Sequence, residues 1–167
     1  FPAVLKLSAV TSGRYIPDEN KAVIEKRDFI DIAEVHAGDL LLTRKNTPEL
    51  VGMATYVFET PPRLMMPDII FRLNTDENLC KKIYLWQLFN HTAFRPCIQE
   101  LANGTAKSMS NISKEKLLKL NIPVPNMDVQ EKFVVFLKNV IKLKAVIQQQ
   151  LVEIKVLNDS LVQEYFK

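Results

Sequence analysis

Glycine is scarce in this sequence, with four residues among 167, at positions 13, 38, 52 and 104. Phosphate-cradling loops need several glycines close together, so neither a dinucleotide fingerprint nor a P-loop is present. The two cysteines, Cys80 and Cys97, are too few for a disulfide framework and cannot make a metal site alone. Both read as packing residues in a reducing, cytoplasmic protein. The two histidines, His36 and His91, are far apart in sequence and read as surface or locally satisfied groups. No stretch of about 18 uninterrupted apolar residues exists, so no membrane span is expected. The opening FPAVLKLSAV lacks the basic start, long apolar core and small-residue cleavage site of a signal peptide. The chain begins at Phe1 rather than Met, as a trimmed product would. With 47% hydrophobic and 25% charged residues, it is neither disordered nor collagen-like, and its length suits one domain with a modest appendage.

A strong net charge is also missing. The total is +3, so charge alone announces no polyanionic partner. Its distribution is uneven. Residues 18–39 hold seven acids against three bases, whereas residues 101–127 hold four lysines against one glutamate. A domain so divided can present a basic face while its sum stays near zero.

The first 127 residues read as a mixed α/β domain built of short elements. Val4 to Val10 alternates loosely and predicts a strand, followed by a loop over Thr11 to Pro17. Phe29 to Ile32 predicts a short strand. After the Ala37-Gly38-Asp39 turn, Leu40 to Thr43 is an apolar run suited to a buried strand. Arg44 to Pro48 reads as a loop. Leu50 to Phe58 has strand composition, with Gly52 as a bulge or close approach. Asp68 to Leu73 predicts another strand. From Asn78 the period changes, with Leu79, Ile83, Trp86 and Phe89 on one helical face and a second helix over Phe94 to Leu101. Ala102 to Ser110 reads as a loop, Ser113 as the cap of a helix reaching Leu120, and Ile122 to Pro125 as extended chain.

Residues 128–167 contain no Gly and no Pro, and Asp128 is a candidate N-cap. Phe133, Leu137, Val140, Lys144, Ile147, Leu151, Ile154, Asn158, Leu161 and Tyr165 are spaced alternately by four and three. That spacing makes a heptad seam, with eight of ten positions apolar. Forty residues at about 1.5 Å each predict a helix of roughly 60 Å, which cannot bury its seam against itself. The simplest closure is a homodimer paired through this seam, with Lys144 and Asn158 as polar positions that fix register.

Catalytic constellations are not found. A methyltransferase would need a glycine-rich cofactor loop and an Asn/Asp-Pro-Pro-aromatic motif, and the sequence has neither. Glu153-Ile-Lys155 matches a nuclease triplet but falls on the heptad helix, and no serine lies in a GxSxG context. The chain is therefore read as a non-enzyme, with no cofactor and no metal. What remains are polar loops with residue types that touch DNA: Arg14 and Tyr15; Arg44, Lys45, Asn46 and Thr47; Arg63; Asn103, Thr105, Lys107, Ser108 and Ser110. Arg and Lys donate to guanine O6 and N7, Asn pairs with adenine, and hydroxyls and Gly amides suit phosphates.

The order of segments adds a resemblance. Ala37-Gly-Asp-Leu-Leu-Leu-Thr-Arg44 followed by Leu50-Val-Gly52 is one part of it. Asn103-Gly-Thr105, Asn111-Ile-Ser113, Leu117-Leu-Lys-Leu120 and Ile122-Pro-Val-Pro125 are the rest. In this order, and ending in a coiled coil, they resemble the target-recognition domain plus long helix of a type I restriction-modification specificity subunit. Gln130-Glu131, at the head of the helix, stands in the reverse order of that family's usual pair. The resemblance implies a DNA target-recognition domain over 1–127 and a coiled-coil dimerisation helix over 128–167. It implies one half of an interrupted double-stranded DNA site as ligand, with methyltransferase and endonuclease subunits as partners and antiparallel pairing of the helices. The competing reading is a coiled-coil protein-interaction module with an α/β head.

Overall fold

The computed structural model describes residues 2–23, 25, 28–103 and 109–166, with Asn103 described by its backbone alone. The chain divides into two compact units, 1–127 and 128–167. The first holds β1 (Ala3–Leu5), α1 (Ser8–Thr11), β2 (Asn20–Ala22), a 3-10 turn at Asp31–Ala33, β3 (Leu40–Thr43), β4 (Lys45–Asn46), β5 (Ala54–Tyr56), β6 (Leu64–Met65), β7 (Ile70–Leu73), α2 (Lys82–Asn90), α3 (Arg95–Gln99), β8 (Ala102–Asn103), β9 (Ser110–Ile112) and α4 (Lys114–Leu118). The second is α5 (Met127–Tyr165). The fold is α/β with a long terminal helix, as the sequence predicts.

Three small sheets organise the first unit, in the orders β2-β1-β6, β5-β3-β7 and β4-β9-β8. Among the described strands only the β1–β6 pair is parallel. Strand β3 is the centre: Leu40, Leu41, Leu42 and Thr43 are all fully buried, as a continuous apolar run in a covered strand must be. Leu41 joins Leu5, Ala9, Val10, Val35, Val57, Leu64 and Ile70 in one core cluster, and alternation turns Leu40 and Leu42 the other way. Helix α2 packs on β5 and β3. Its Asn90 amide pins it there, accepting from the Ala54 N–H at 3.0 Å and donating to the Ala54 carbonyl at 2.7 Å. Arg72, opposite Leu41 in register, ties the 3-10 turn down. It donates to the Ile32 carbonyl at 3.2 Å and to the Glu34 carbonyl, and lies 3.0 Å from the Asp39 carboxylate.

Several local expectations change. The strand predicted over Val4–Val10 ends at Leu5, and residues 8–11 form one helical turn that sends Ala9 and Val10 into the core. A run this short does not decide between strand and helix by period. Phe29–Ile32 is not a strand: its second half belongs to the 3-10 turn. Residues 47–52 form a tight turn, so only Ala54–Tyr56 of the predicted 50–58 strand pairs, and Gly52 closes the turn at φ +73°. Lys45–Asn46 and Ala102–Asn103 are strands rather than loop, because β9 recruits the first and pairs with the second. Leu79 precedes α2 and is exposed, held outside by a turn on the Asp76 carbonyl. The second helix is shorter than predicted, Arg95–Gln99, with Pro96 in its first turn. Ser113 does cap α4, accepting from the Lys116 N–H. Helix α5 begins at Met127, which puts Asp128 inside its first turn instead of at the cap.

In α5, residues 127–165 are continuous helix, about 60 Å at 1.5 Å per residue. Val140, Ile147, Leu151, Ile154, Leu161 and Tyr165 of the seam are exposed, as are Lys144 and Asn158, while Phe133 and Leu137 are half-buried. Beside the seam, Phe136, Leu143 and Leu157 are exposed apolar residues of another heptad column, which Gln150 interrupts. Among the described residues, no helix is long and apolar enough to cross a membrane.

Candidate nucleic-acid interface

The third sheet carries four of the predicted contact residues, Lys45, Asn46, Asn103 and Ser110, with Arg44 and Thr47 flanking β4. Arg44 is the hinge between β3 and β4: its N–H donates to the Ile69 carbonyl at 3.0 Å, and its carbonyl accepts from Ile112 at 2.8 Å. Its guanidinium lies 5.0 Å from the centre of the Phe71 ring, a cation–π seat that limits its swing. Lys45, half-buried, pairs in register with Asn111, which in turn pairs with Asn103. Side chains at paired positions share a sheet face, so Lys45 and Asn111 share one face, with Asn103 in the same register row. Asn46 points the other way and is buried. Its Nδ2 donates to Thr11 Oγ1 at 3.3 Å, and its Oδ1 accepts from the Thr47 N–H at 2.9 Å. Ser110 is buried on that same inner face. In this structure Asn46 and Ser110 are therefore supports behind the surface.

Loop 11–15 lies against this sheet. The Asn46–Thr11 bond makes that contact, while a side chain at Gly13 would meet Asn90 Nδ2 of α2 at 3.3 Å and Met53 Cε at 3.4 Å. Trp86 Nε1 donates to the Gly13 carbonyl at 3.0 Å. Arg14 is exposed, its N–H bonded to Ser12 Oγ at 3.4 Å. The Tyr15 hydroxyl is bonded to Thr60 Oγ1 at 2.7 Å, and burial pushes this phenol above its ordinary pKa despite that bond. Arg63 belongs elsewhere. Its backbone has φ +60°, and both its contacts are with the acid-rich segment: its guanidinium stacks 4.9 Å from the Phe29 ring and its backbone N–H donates to Glu34 Oε1 at 2.5 Å. Thr105, Lys107 and Ser108 lie outside the described residues.

Sequence reasoning missed three residues here. Asn111 entered it only within the Asn111-Ile-Ser113 segment of the resemblance, and its Oδ1 is buried with no partner among the described residues. Arg95 and Gln99, read as interior to a helix, reach across to the turn at 47–52. Nothing in their spacing points at a loop nearly fifty residues earlier. Burial lowers the Arg95 guanidinium pKa, as it must when a cation is drawn partly out of water. Among the described residues, no group of three or more His, Cys, Asp or Glu is placed to hold a metal. The histidines do local work: the His36 N–H caps Asp39 Oδ2 at 2.9 Å, and His91 Nδ1 accepts from the Ala93 N–H at 3.3 Å.

The family described as the type I restriction modification DNA specificity domain matches residues 10–156. The chain belongs to this family. The match runs through the first unit and most of α5. One relative is the Escherichia coli type I restriction enzyme EcoEI specificity subunit, 30% identical over 140 residues, or 84% of this chain. The alignment covers 24% of that protein, so the chain spans about a quarter of the length of the relative it matches.

Proposed function

We propose that the first unit reads one part of an interrupted site in double-stranded DNA and that α5 holds it at a set distance from a second reader. The observation that carries this reading is the continuity of the family match across both units. The surface around β4 and loop 11–15 supports it with chemistry. Arg14, Arg44, Lys45 and Thr47 supply base-edge and phosphate donors on strand ends and turns, and Asn103, with Thr105, Lys107 and Ser108 outside the described residues, adds the same residue types to this reading. Asn46, Ser110 and Tyr15 brace those loops from within, and Arg63, bonded into the acid-rich segment, is left out of the reading surface.

In this reading the chain does no chemistry of its own. Methylation and cleavage belong to partner subunits, and a DNA ligand places the work in the cytoplasm. The α5 seam closes on a second copy of the chain. Two identical readers related by a two-fold axis then address an inverted repeat with an unread spacer. The exposed Phe136, Leu143 and Leu157 widen the apolar stripe beside the seam, which suits docking of methyltransferase subunits on the paired helices, with the endonuclease subunit recruited to that assembly.

Retention on mixed duplex DNA tests the reading. Binding should fall linearly in a log–log plot against salt, with a slope near −0.9 per phosphate neutralised. A combined Arg44→Ala, Lys45→Ala, Lys107→Ala variant should lose tenfold or more in affinity at low salt and flatten that slope by two to three. Unchanged binding in a folded triple variant refutes the surface. Absence of any DNA retention by the wild-type chain favours the protein-interaction module.

A further inference from the structure

The turn that follows the candidate reading strand is held from behind by another element. Between Thr47 and Val51 every backbone carbonyl accepts a hydrogen bond. The Thr47 carbonyl accepts from the Leu50 and Val51 N–H groups at 3.1 and 2.9 Å. The Leu50 carbonyl accepts from the buried Thr43 hydroxyl at 2.9 Å and the Met53 N–H at 3.2 Å. The other three depend on α3. Arg95 Nη2 donates to the Glu49 carbonyl at 3.0 Å and the Val51 carbonyl at 2.8 Å. Gln99 Nε2 donates to the Pro48 carbonyl at 3.0 Å and the Glu49 carbonyl at 3.3 Å. Arg95 and Gln99 are four apart, so they emerge on one side of the helix. Between them the fully buried Ile98 is packed against Gly52.

This arrangement differs from an ordinary surface loop, whose carbonyls bond to water and whose path is soft. Here no other donor among the described residues serves Pro48, Glu49 or Val51. The turn carries Thr47 at its start and leads back through Met53 to the Gly13 loop. We propose that Arg95 and Gln99 are positioning residues for sequence reading: they fix the path of 44–52, and hence the aim of Arg44, Lys45 and Thr47, without touching DNA. The proposal rests on the DNA-recognition reading above. It assigns specificity, rather than affinity, to two side chains behind the surface. Losing them leaves every phosphate-seeking cation in place while letting the strand end wander, and a misplacement of about 1 Å removes a bidentate base contact.

The test is selection of the full-length chain on a randomised duplex pool, with the bound fraction sequenced. The wild type enriches a motif. Arg95→Met with Gln99→Met should lose tenfold or more of that enrichment while binding to unselected duplex and its salt slope stay within twofold. Arg95→Lys, which keeps the charge but not the two-carbonyl reach of the guanidinium, should be intermediate. Gln99→Met alone, the mildest change, should raise amide hydrogen exchange at Leu50 and Val51 but not at Leu41 and Leu42. Full enrichment in the folded double-methionine variant, or unchanged exchange in Gln99→Met, overturns the proposal and leaves DNA recognition standing. A wild-type chain that enriches nothing overturns both.

Discussion

Four acidic side chains of the first unit are held in their protonated forms mainly by burial: the Cys80 thiol and the Tyr15, Tyr56 and Tyr84 phenols. The nearby Glu77 charge adds to the effect at Cys80 and Tyr56. Each folded-state pKa is raised above its unfolded value, so the folded protein keeps these protons to higher pH than the unfolded chain. The stability tied to them is complete below about pH 8.5, and is lost as pH rises past the ordinary thiol and phenol values of about 8.5 and 10. Denaturant midpoints should therefore be flat from pH 7 to 8.5 and fall steadily from about 9 to 11. Titration with a thiol reagent supplies the residue-level control. Exposed Cys97 should react at once and buried Cys80 only at the rate of opening; two equally fast thiols would contradict the packing. Both cysteines read as packing residues in the sequence. Burial bears this out for Cys80 alone, because Cys97 follows Pro96 on the outer side of a five-residue helix too short to have a legible period.

Among the elements, the turn at 47–52 depends most on a single residue. Gly52 has φ +73°, and an added Cβ there would run into the Ile98 side chain. Gly38 has φ +92° but nothing nearer than the Tyr56 hydroxyl at 4.0 Å. Gly52→Ala should therefore destabilise the domain by about 3 kcal/mol or more, from backbone strain and overpacking together, whereas Gly38→Ala should cost about 1–2 kcal/mol from strain alone. Equal denaturant midpoints for the two variants would contradict that difference. Close approach at Gly52 was legible in the sequence, as were β3, from its unbroken apolar run, and the Ser113 cap. Strands β4 and β8 were not. Two residues carry no period, and what makes them strands is the long-range pairing with β9, a tertiary fact. The same holds for the candidate site. Cations and amides in polar loops could be named from the sequence, but which of them face outward could not. That depended on alternation around Lys45 and Asn46, and on the grip of α3.

At the scale of the whole molecule, α5 is the feature that demands a partner. Its seam and the neighbouring Phe136, Leu143 and Leu157 are exposed along most of its length, more contiguous apolar surface than an isolated soluble chain normally shows. The free protein should sediment as a dimer at tens of micromolar, and Leu151→Asp should return it to a monomer. A wild-type monomer that this substitution leaves unshifted would rule the homodimer out and assign the helix to a different partner. The heptad made this helix the most legible element in the sequence, since nearly forty residues repeat one instruction. Orientation and partner identity are not written in a single seam, because the same apolar column serves any helix that fits. The lone tryptophan of the chain adds a consequence of its own. Trp86 is bonded to the carbonyl of Gly13, and α5 contains no tryptophan. The molecule thus carries one indole, bonded to the loop of Arg14. Engagement of that loop should therefore register in the indole emission without any label, so the unmodified protein carries its own optical reporter of that event.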